Sequence, residues 1–116
     1  MFKIKFKDMV NSLFSKNQYD LDGAAFKQQF ESSKNAVLID VRTPEEFQSG
    51  TLAGAKNIAI TSAAFQTKIQ TLAVEKEYFL FCRSGNRSGN AAKLMEKLGL
   101  KCYNLVGGIG AWPHKK

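Results

Sequence analysis

The segment FLFCRSGNRSGNAAKL, residues 79–94, places Cys82 at the end of an apolar run and sets Arg83 and Arg87 within the next five positions. A thiol flanked in this way is a candidate nucleophile. Free cysteine ionises near pH ~8.5, so only a few per cent is thiolate at neutral pH, and chemistry at sulfur needs that fraction raised. Gly85 and Asn86 are residue types that tolerate positive φ, so the backbone between the arginines can curl and turn its N–H groups inward as an anion-binding nest. A helix beginning near Arg87 or Ser88 adds unpaired amide donors and the positive end of its dipole. Dipole and guanidinium groups together contribute roughly 2 to 3 kcal/mol, about two pKa units, enough to make most of Cys82 thiolate. A small buried hydrophobe ending a core strand also fits the apolar run, but packing gives no reason to crowd cations around its sulfur.

Other reactive side chains are fewer and worse placed. Cys102 lies in an apolar stretch without basic neighbours and is expected in the core, with a resolving thiol as the lesser option. His114, the only histidine, sits among proline and lysines near the C-terminus, a poor position for the base of a Cys-His pair. One histidine and two cysteines do not make a closed zinc site, so neither metal nor cofactor is expected.

Elements able to hold the loop can be read on both sides of it. Tyr78 to Phe81 is a strand delivering Cys82 at its C-terminal edge, and Ala91, Leu94, Met95 and Leu98 trace one face of a helix closed by Gly99. Earlier, Asp22 caps a helix over about 23–32, with Leu21 stapled onto Phe26 and Phe30 one turn on. Val37 to Ile39 form a wholly apolar strand ending at Asp40, and Thr43-Pro44-Glu45-Glu46 reads as a capping box that starts a helix at once. Gly50 and Gly54 mark turns before a strand at Asn57 to Ile60, and Phe65, Ile69 and Leu72 recur at helical spacing. Cys102 to Val106 is a last strand, followed by the glycine-rich turn GGIGAW at 107–112. Strands alternating with helices imply an α/β fold with a mostly parallel sheet covered by helices on both faces. Ligands in such sheets bind beyond the carboxyl ends of the strands, where Asp40 and Cys82 are both expected to face one crevice.

The whole chain sets outer limits. Its 116 residues make one domain, and 44% apolar with 23% charged residues is an ordinary globular balance. No apolar stretch approaches the roughly 20 residues of a membrane span, and the N-terminus lacks a signal-peptide pattern, so a cytoplasmic protein with free thiols is expected. The net charge of +7 points to an anionic partner. Its lysines follow no nucleic-acid-binding pattern, and no helix-turn-helix or zinc-finger spacing occurs, so nucleic acid is not expected as that partner.

Four segments in order, LIDVRTPEEF (38–47), GTLAGAKNI (50–58), CRSGNRS (82–88) and GGIGAW (107–112), closely resemble the single-domain rhodaneses, the thiosulfate sulfurtransferase family. The resemblance runs from about residue 21 to the end. It implies an open sheet of about five strands and a catalytic Cys82 that carries a persulfide. It further implies substrate-binding main-chain N–H groups across Arg83, Ser84, Gly85, Asn86, Arg87 and Ser88, with both arginines beside an anionic sulfur donor. Asp40 and Arg42 are implied as supporting residues on the active-site side of the sheet. The expected second partner is a thiol, cyanide or a sulfur-accepting protein. Thr51 departs from the pattern, since the family often has histidine there.

Two rivals share these features. A cysteine phosphatase or arsenate reductase would use a similar loop, but phosphatases place five residues between cysteine and arginine whereas Cys82 and Arg87 have four between them. The second is a persulfide relay or regulatory binding module without free turnover. The chain divides into an N-terminal extension, 1–19, and a rhodanese-like domain, 20–116. In the extension Phe2, Phe6, Met9, Val10 and Leu13 fit one helical stripe, expected to pack on the domain, with membrane-surface contact, a mobile arm or a dimer contact as alternatives.

Overall fold

The computed structural model describes residues 19–113. The helix expected over the N-terminal extension therefore lies outside the described residues apart from Tyr19, and so does His114. The elements in chain order are β1 (Asp20–Leu21), α1 (Gly23–Ser32), β2 (Ala36–Asp40), α2 (Pro44–Ser49), β3 (Lys56–Asn57), α3 (Phe65–Ile69), β4 (Glu77–Phe81), α4 (Asn86–Glu96) and β5 (Lys101–Leu105). A single 3-10 turn, Ile109–Ala111, follows. The strands form one sheet in the order β1-β5-β4-β2-β3, and every neighbouring pair is parallel.

Local chemistry explains where the helices begin. The Asp22 carboxylate accepts from the Ala25 amide at 2.9 Å and caps α1. At α2 the capping box is complete: the Thr43 hydroxyl accepts from the Glu46 amide at 3.2 Å, and the Glu46 carboxylate accepts from the Thr43 amide at 3.0 Å. Pro44 then occupies the first turn, where its missing N–H costs nothing.

Strand alternation divides the core between the two faces of the sheet. Tyr78, Leu80 and Cys82 point to the side where α4 supplies Ala91, Ala92 and Met95 and α3 supplies Phe65 and Ile69. Phe79 and Phe81 point to the other side, where they meet Phe26 of α1, Leu38, Leu52 and Leu105. Phe26 and Phe30 each contact Phe79 and Trp112 edge-on, so the C-terminal turn is locked against α1. Helices thus cover both faces, as a parallel sheet requires.

Two expectations change. The strand expected at Asn57 to Ile60 is only Lys56–Asn57. Its partner β2 ends at Asp40, so the Ile58 and Ile60 amides reach only the Asp40 and Val41 carbonyls, at 3.1 and 3.0 Å. The pairing of Asp20–Leu21 as an edge strand was not expected at all, because two residues carry no readable periodicity. Among the described residues no helix is long and apolar enough to cross a membrane.

Candidate active site

Cys82 follows directly on β4 and is fully buried, with Sγ facing the N-terminus of α4. Gly85, at φ 99°, turns the chain sharply into that helix. Its amide donates to Cys82 Sγ at 3.0 Å, the Ser88 amide at 3.4 Å, and the Ser88 hydroxyl lies 3.3 Å away. Burial pushes the thiol up, but the Ser88 hydroxyl and the amides of Ser88, Gly85 and Ser84 outweigh it and hold Cys82 below the usual cysteine value. Cys102 is the contrast: burial, with Glu96 adding to it, pushes that thiol up to about 12, and its sulfur donates to the Ala92 carbonyl at 3.4 Å.

The loop departs from the expected nest in two places. Only glycines among the described residues adopt positive φ, so Gly85 alone makes the turn and Asn86 is already the first residue of α4. The Asn86 amide consequently approaches the Ser84 hydroxyl, at 3.4 Å. Arg83 is exposed and makes no ion pair among the described residues. Arg87 is different, for its guanidinium bonds both oxygens of Glu46, at 2.7 and 3.1 Å.

Asp40 does not face the thiol's crevice. It pairs in register with Phe81, so its side chain points to the face opposite Cys82. There it is fully buried, and Arg42 encloses it with its amide at 2.9 Å, Nε at 3.0 and 3.1 Å and Nη2 at 2.8 Å. Thr51 donates its hydroxyl to the same carboxylate at 2.9 Å, which shows what the residue departing from the family pattern does here. Arg42 also reaches the Gly50 carbonyl at 2.6 Å, while Asn57 Nδ2 donates to the Asp40 and Arg42 carbonyls, both at 2.9 Å. This knot ties β2, the following loop and β3 together at the strand ends.

Sequence reading missed two residues of the site. Asn104 of β5 is 4% exposed, and its Nδ2 donates to Asp20 Oδ1 at 2.8 Å and to the Gly85 carbonyl at 3.3 Å. Those acceptors orient the amide, leaving Oδ1 to receive the Ser88 hydroxyl at 2.5 Å. A lone polar residue inside the apolar run Cys102 to Val106 was the available signal. Glu46 was read only as a helix cap, and its tie to Arg87 spans 41 residues.

The glycine-rich turn backs the loop from behind. Gly108, at φ 79°, comes so close to the Arg83–Ser84 peptide that a Cβ would stand 1.9 Å from the Arg83 carbonyl oxygen. The Ile109 amide donates to the Cys82 carbonyl at 2.8 Å. A buried thiol with inward amides, held between a helix start and a glycine brace, is equipped to act as a nucleophile and to stabilise negative charge on or next to its sulfur.

Known proteins of this build bear out the resemblance. A profile of the rhodanese-like domain matches residues 22–115. The Bacillus subtilis protein named "Putative sulfurtransferase YtwF" is 38% identical over 93 residues, covering 80% of this chain and 88% of that protein. A sulfurtransferase of Allochromatium vinosum is 29% identical, with 80% and 86% covered. Among solved structures, a rhodanese-like domain protein from Staphylococcus aureus superposes with a TM-score of 0.71 at 26% identity, covering 82% of this chain and 91% of that one. Since the profile takes in strands β2 to β5 and the whole of the Cys82 loop, the chain belongs to the rhodanese-like family of sulfurtransferases.

Proposed function

We propose that this protein transfers sulfane sulfur through a persulfide on Cys82. The observation that carries this reading is the convergence of the Gly85 and Ser88 amides and the Ser88 hydroxyl on one buried sulfur, at 3.0, 3.4 and 3.3 Å. In the first step the Cys82 thiolate attacks the outer sulfur of thiosulfate or a persulfide donor. With thiosulfate the S–S bond to the sulfonate breaks, its electron pair leaves with sulfite, and the enzyme keeps Cys82–S–S⁻. Sulfite is a stable anion that needs no proton, so no general acid is required with thiosulfate; with a persulfide donor the S–S bond breaks and its electron pair leaves on the donor's thiolate. The terminal sulfur carries the negative charge into the cradle of amides, which stabilise it as they do an oxyanion.

In the second step an acceptor thiolate or cyanide takes the terminal sulfur, and the electron pair of the broken S–S bond returns to Cys82 as thiolate. The two half-reactions give ping-pong kinetics. Arg83, exposed at the mouth, attracts the anionic donor, and the Ser84 to Ser88 backbone shapes its seat. Asp40 and Arg42 serve as supporting residues that fix the neighbouring strand ends. A thiol on a partner protein is a fitting acceptor, in line with the Bacillus subtilis relative named "Putative sulfur carrier protein YrkF", 33% identical over 92 residues, of which this chain spans 49%.

Mass spectrometry after exposure to thiosulfate tests the proposal. A gain of one sulfur atom on the Cys82 peptide, absent in Cys82→Ser, is the expected result. Equal thiosulfate:cyanide transfer by the chain and by Cys82→Ser would end the proposal.

A further inference from the structure

We propose that Glu46 determines donor specificity by compensating the charge of Arg87, so that the site is tuned for singly charged sulfane donors, alkyl hydropersulfides above all, over doubly charged thiosulfate. The inference rests on the sulfur-transfer reading above and deepens it.

Glu46 is held from two sides. Its Oε1 accepts from the Thr43 amide at 3.0 Å and lies 3.2 Å from the Thr43 hydroxyl, while Oε1 and Oε2 take the two terminal nitrogens of Arg87 at 2.7 and 3.1 Å. The Arg87 hydrogen bonds, reinforced by the Thr43 amide, lower Glu46 to about 2, so it stays ionised throughout the neutral range. The side chains of Arg87 and Glu46 remain 32% and 29% exposed, which puts the pair at the mouth of the loop and not beneath it. Arg87 immediately precedes Ser88, whose amide and hydroxyl hold the Cys82 sulfur.

Charges around the donor's path then nearly cancel. Arg83 and Arg87 supply two positive charges, while Glu46 and the Cys82 thiolate supply two negative ones; Asp40 and Arg42 pair with each other. A guanidinium carries five N–H donors, and the hydrogen bonds to Glu46 leave some of Arg87's for a substrate. Arg87 therefore orients an anion without attracting it strongly. A dianion approaching this thiolate meets the repulsion of Glu46 twice over, whereas a monoanion meets it once.

The test compares two donors of matched chemistry and different charge. Thiosulfate, a dianion, and methanethiosulfonate, a monoanion, each give their outer sulfur to Cys82 and release sulfite or methanesulfinate, with cyanide as acceptor. Glu46→Gln keeps the capping acceptor at the third helical position, and it removes the charge together with one of the two acceptors that Arg87 uses. It is expected to raise the ratio of kcat/KM for thiosulfate to that for methanethiosulfonate about tenfold, the effect of one unit charge a few ångströms from the donor. The gain shrinks in ~0.5 M salt, which screens charges near the surface. Glu46→Asp retains the charge and is expected to keep the wild-type ratio.

A ratio unchanged in Glu46→Gln, with both donors still loading Cys82, overturns the proposal. So does a Glu46→Asp protein that matches Glu46→Gln, since shape and not charge would then be what counts. If neither donor adds sulfur to Cys82 in the wild-type protein, it is the sulfur-transfer reading that fails, and this inference falls with it.

Discussion

The Ser88 hydroxyl has one proton and two neighbours that want it. Cys82 Sγ lies 3.3 Å away and Asn104 Oδ1 2.5 Å away. A thiolate at Cys82 and the Asn104 oxygen therefore compete for that one proton. Ser88→Ala removes the hydroxyl and leaves the amides. Hydrogen bonds to charged groups are worth about 1.5 to 3 kcal/mol, so the variant is expected to raise the Cys82 pKa. Iodoacetamide alkylation rates followed against pH measure the shift, and an unmoved midpoint would show that the amides alone set it. Cys102, pushed up to about 12 and buried, is expected to stay unlabelled in the folded protein under the same conditions. The cradle around Cys82 was partly legible in the sequence because Gly85 and Ser88, which bond its sulfur, are its near neighbours along the chain. Asn104 was not, because its partners Ser88 and Asp20 come from distant parts of the chain and meet only when β1, β5 and α4 assemble.

At the scale of elements, β2 and α2 show how a helix start and a strand end serve the same site. Arg42 encloses the fully buried Asp40 carboxylate, so Arg42→Met leaves that charge uncompensated and is expected to cost about 3 to 5 kcal/mol in urea unfolding. Glu46 adds a pH dependence whose sign is fixed. Its folded-state pKa near 2 lies below the ordinary 4.5, chiefly because of the Arg87 hydrogen bonds. The stabilisation is complete above about pH 4.5 and is lost as pH falls through about 2. Stability measured over that range is expected to fall less steeply in Glu46→Gln than in the wild-type protein. The capping box at Thr43 and Glu46 was plain in four consecutive residues, and so was the helix it starts. The second use of Glu46, as the partner of Arg87, was not, because no local pattern says which charge of α4 will lie opposite α2. Asn86 went the same way: its residue type tolerates positive φ, but Gly85 had already made the turn.

Over the whole molecule, the sheet and its helices were legible from apolar strands alternating with helical stripes, but at the edges β1 went unread and β3 was expected too long. The edges depend on what the central strands offer to pair with. The C-terminal turn is where distant parts converge, since Gly108 lies against the Arg83–Ser84 peptide while Trp112 packs on Phe26 and Phe30. Gly108→Ala must push that peptide away or abandon its positive φ. The expected outcome is a loss of at least ~2 kcal/mol in stability and a Cys82 pKa displaced upward, read by unfolding and by alkylation. β1 has a comparable reach. Asp20 grips Asn104, Asn104 grips Ser88, and Ser88 touches the sulfur, so three side chains join the upstream end of the domain to Cys82. Tension applied to the polypeptide ahead of Tyr19, by a fused module or a tether, would thus be felt as a change in thiol reactivity, making the sulfur a strain gauge for whatever is attached there.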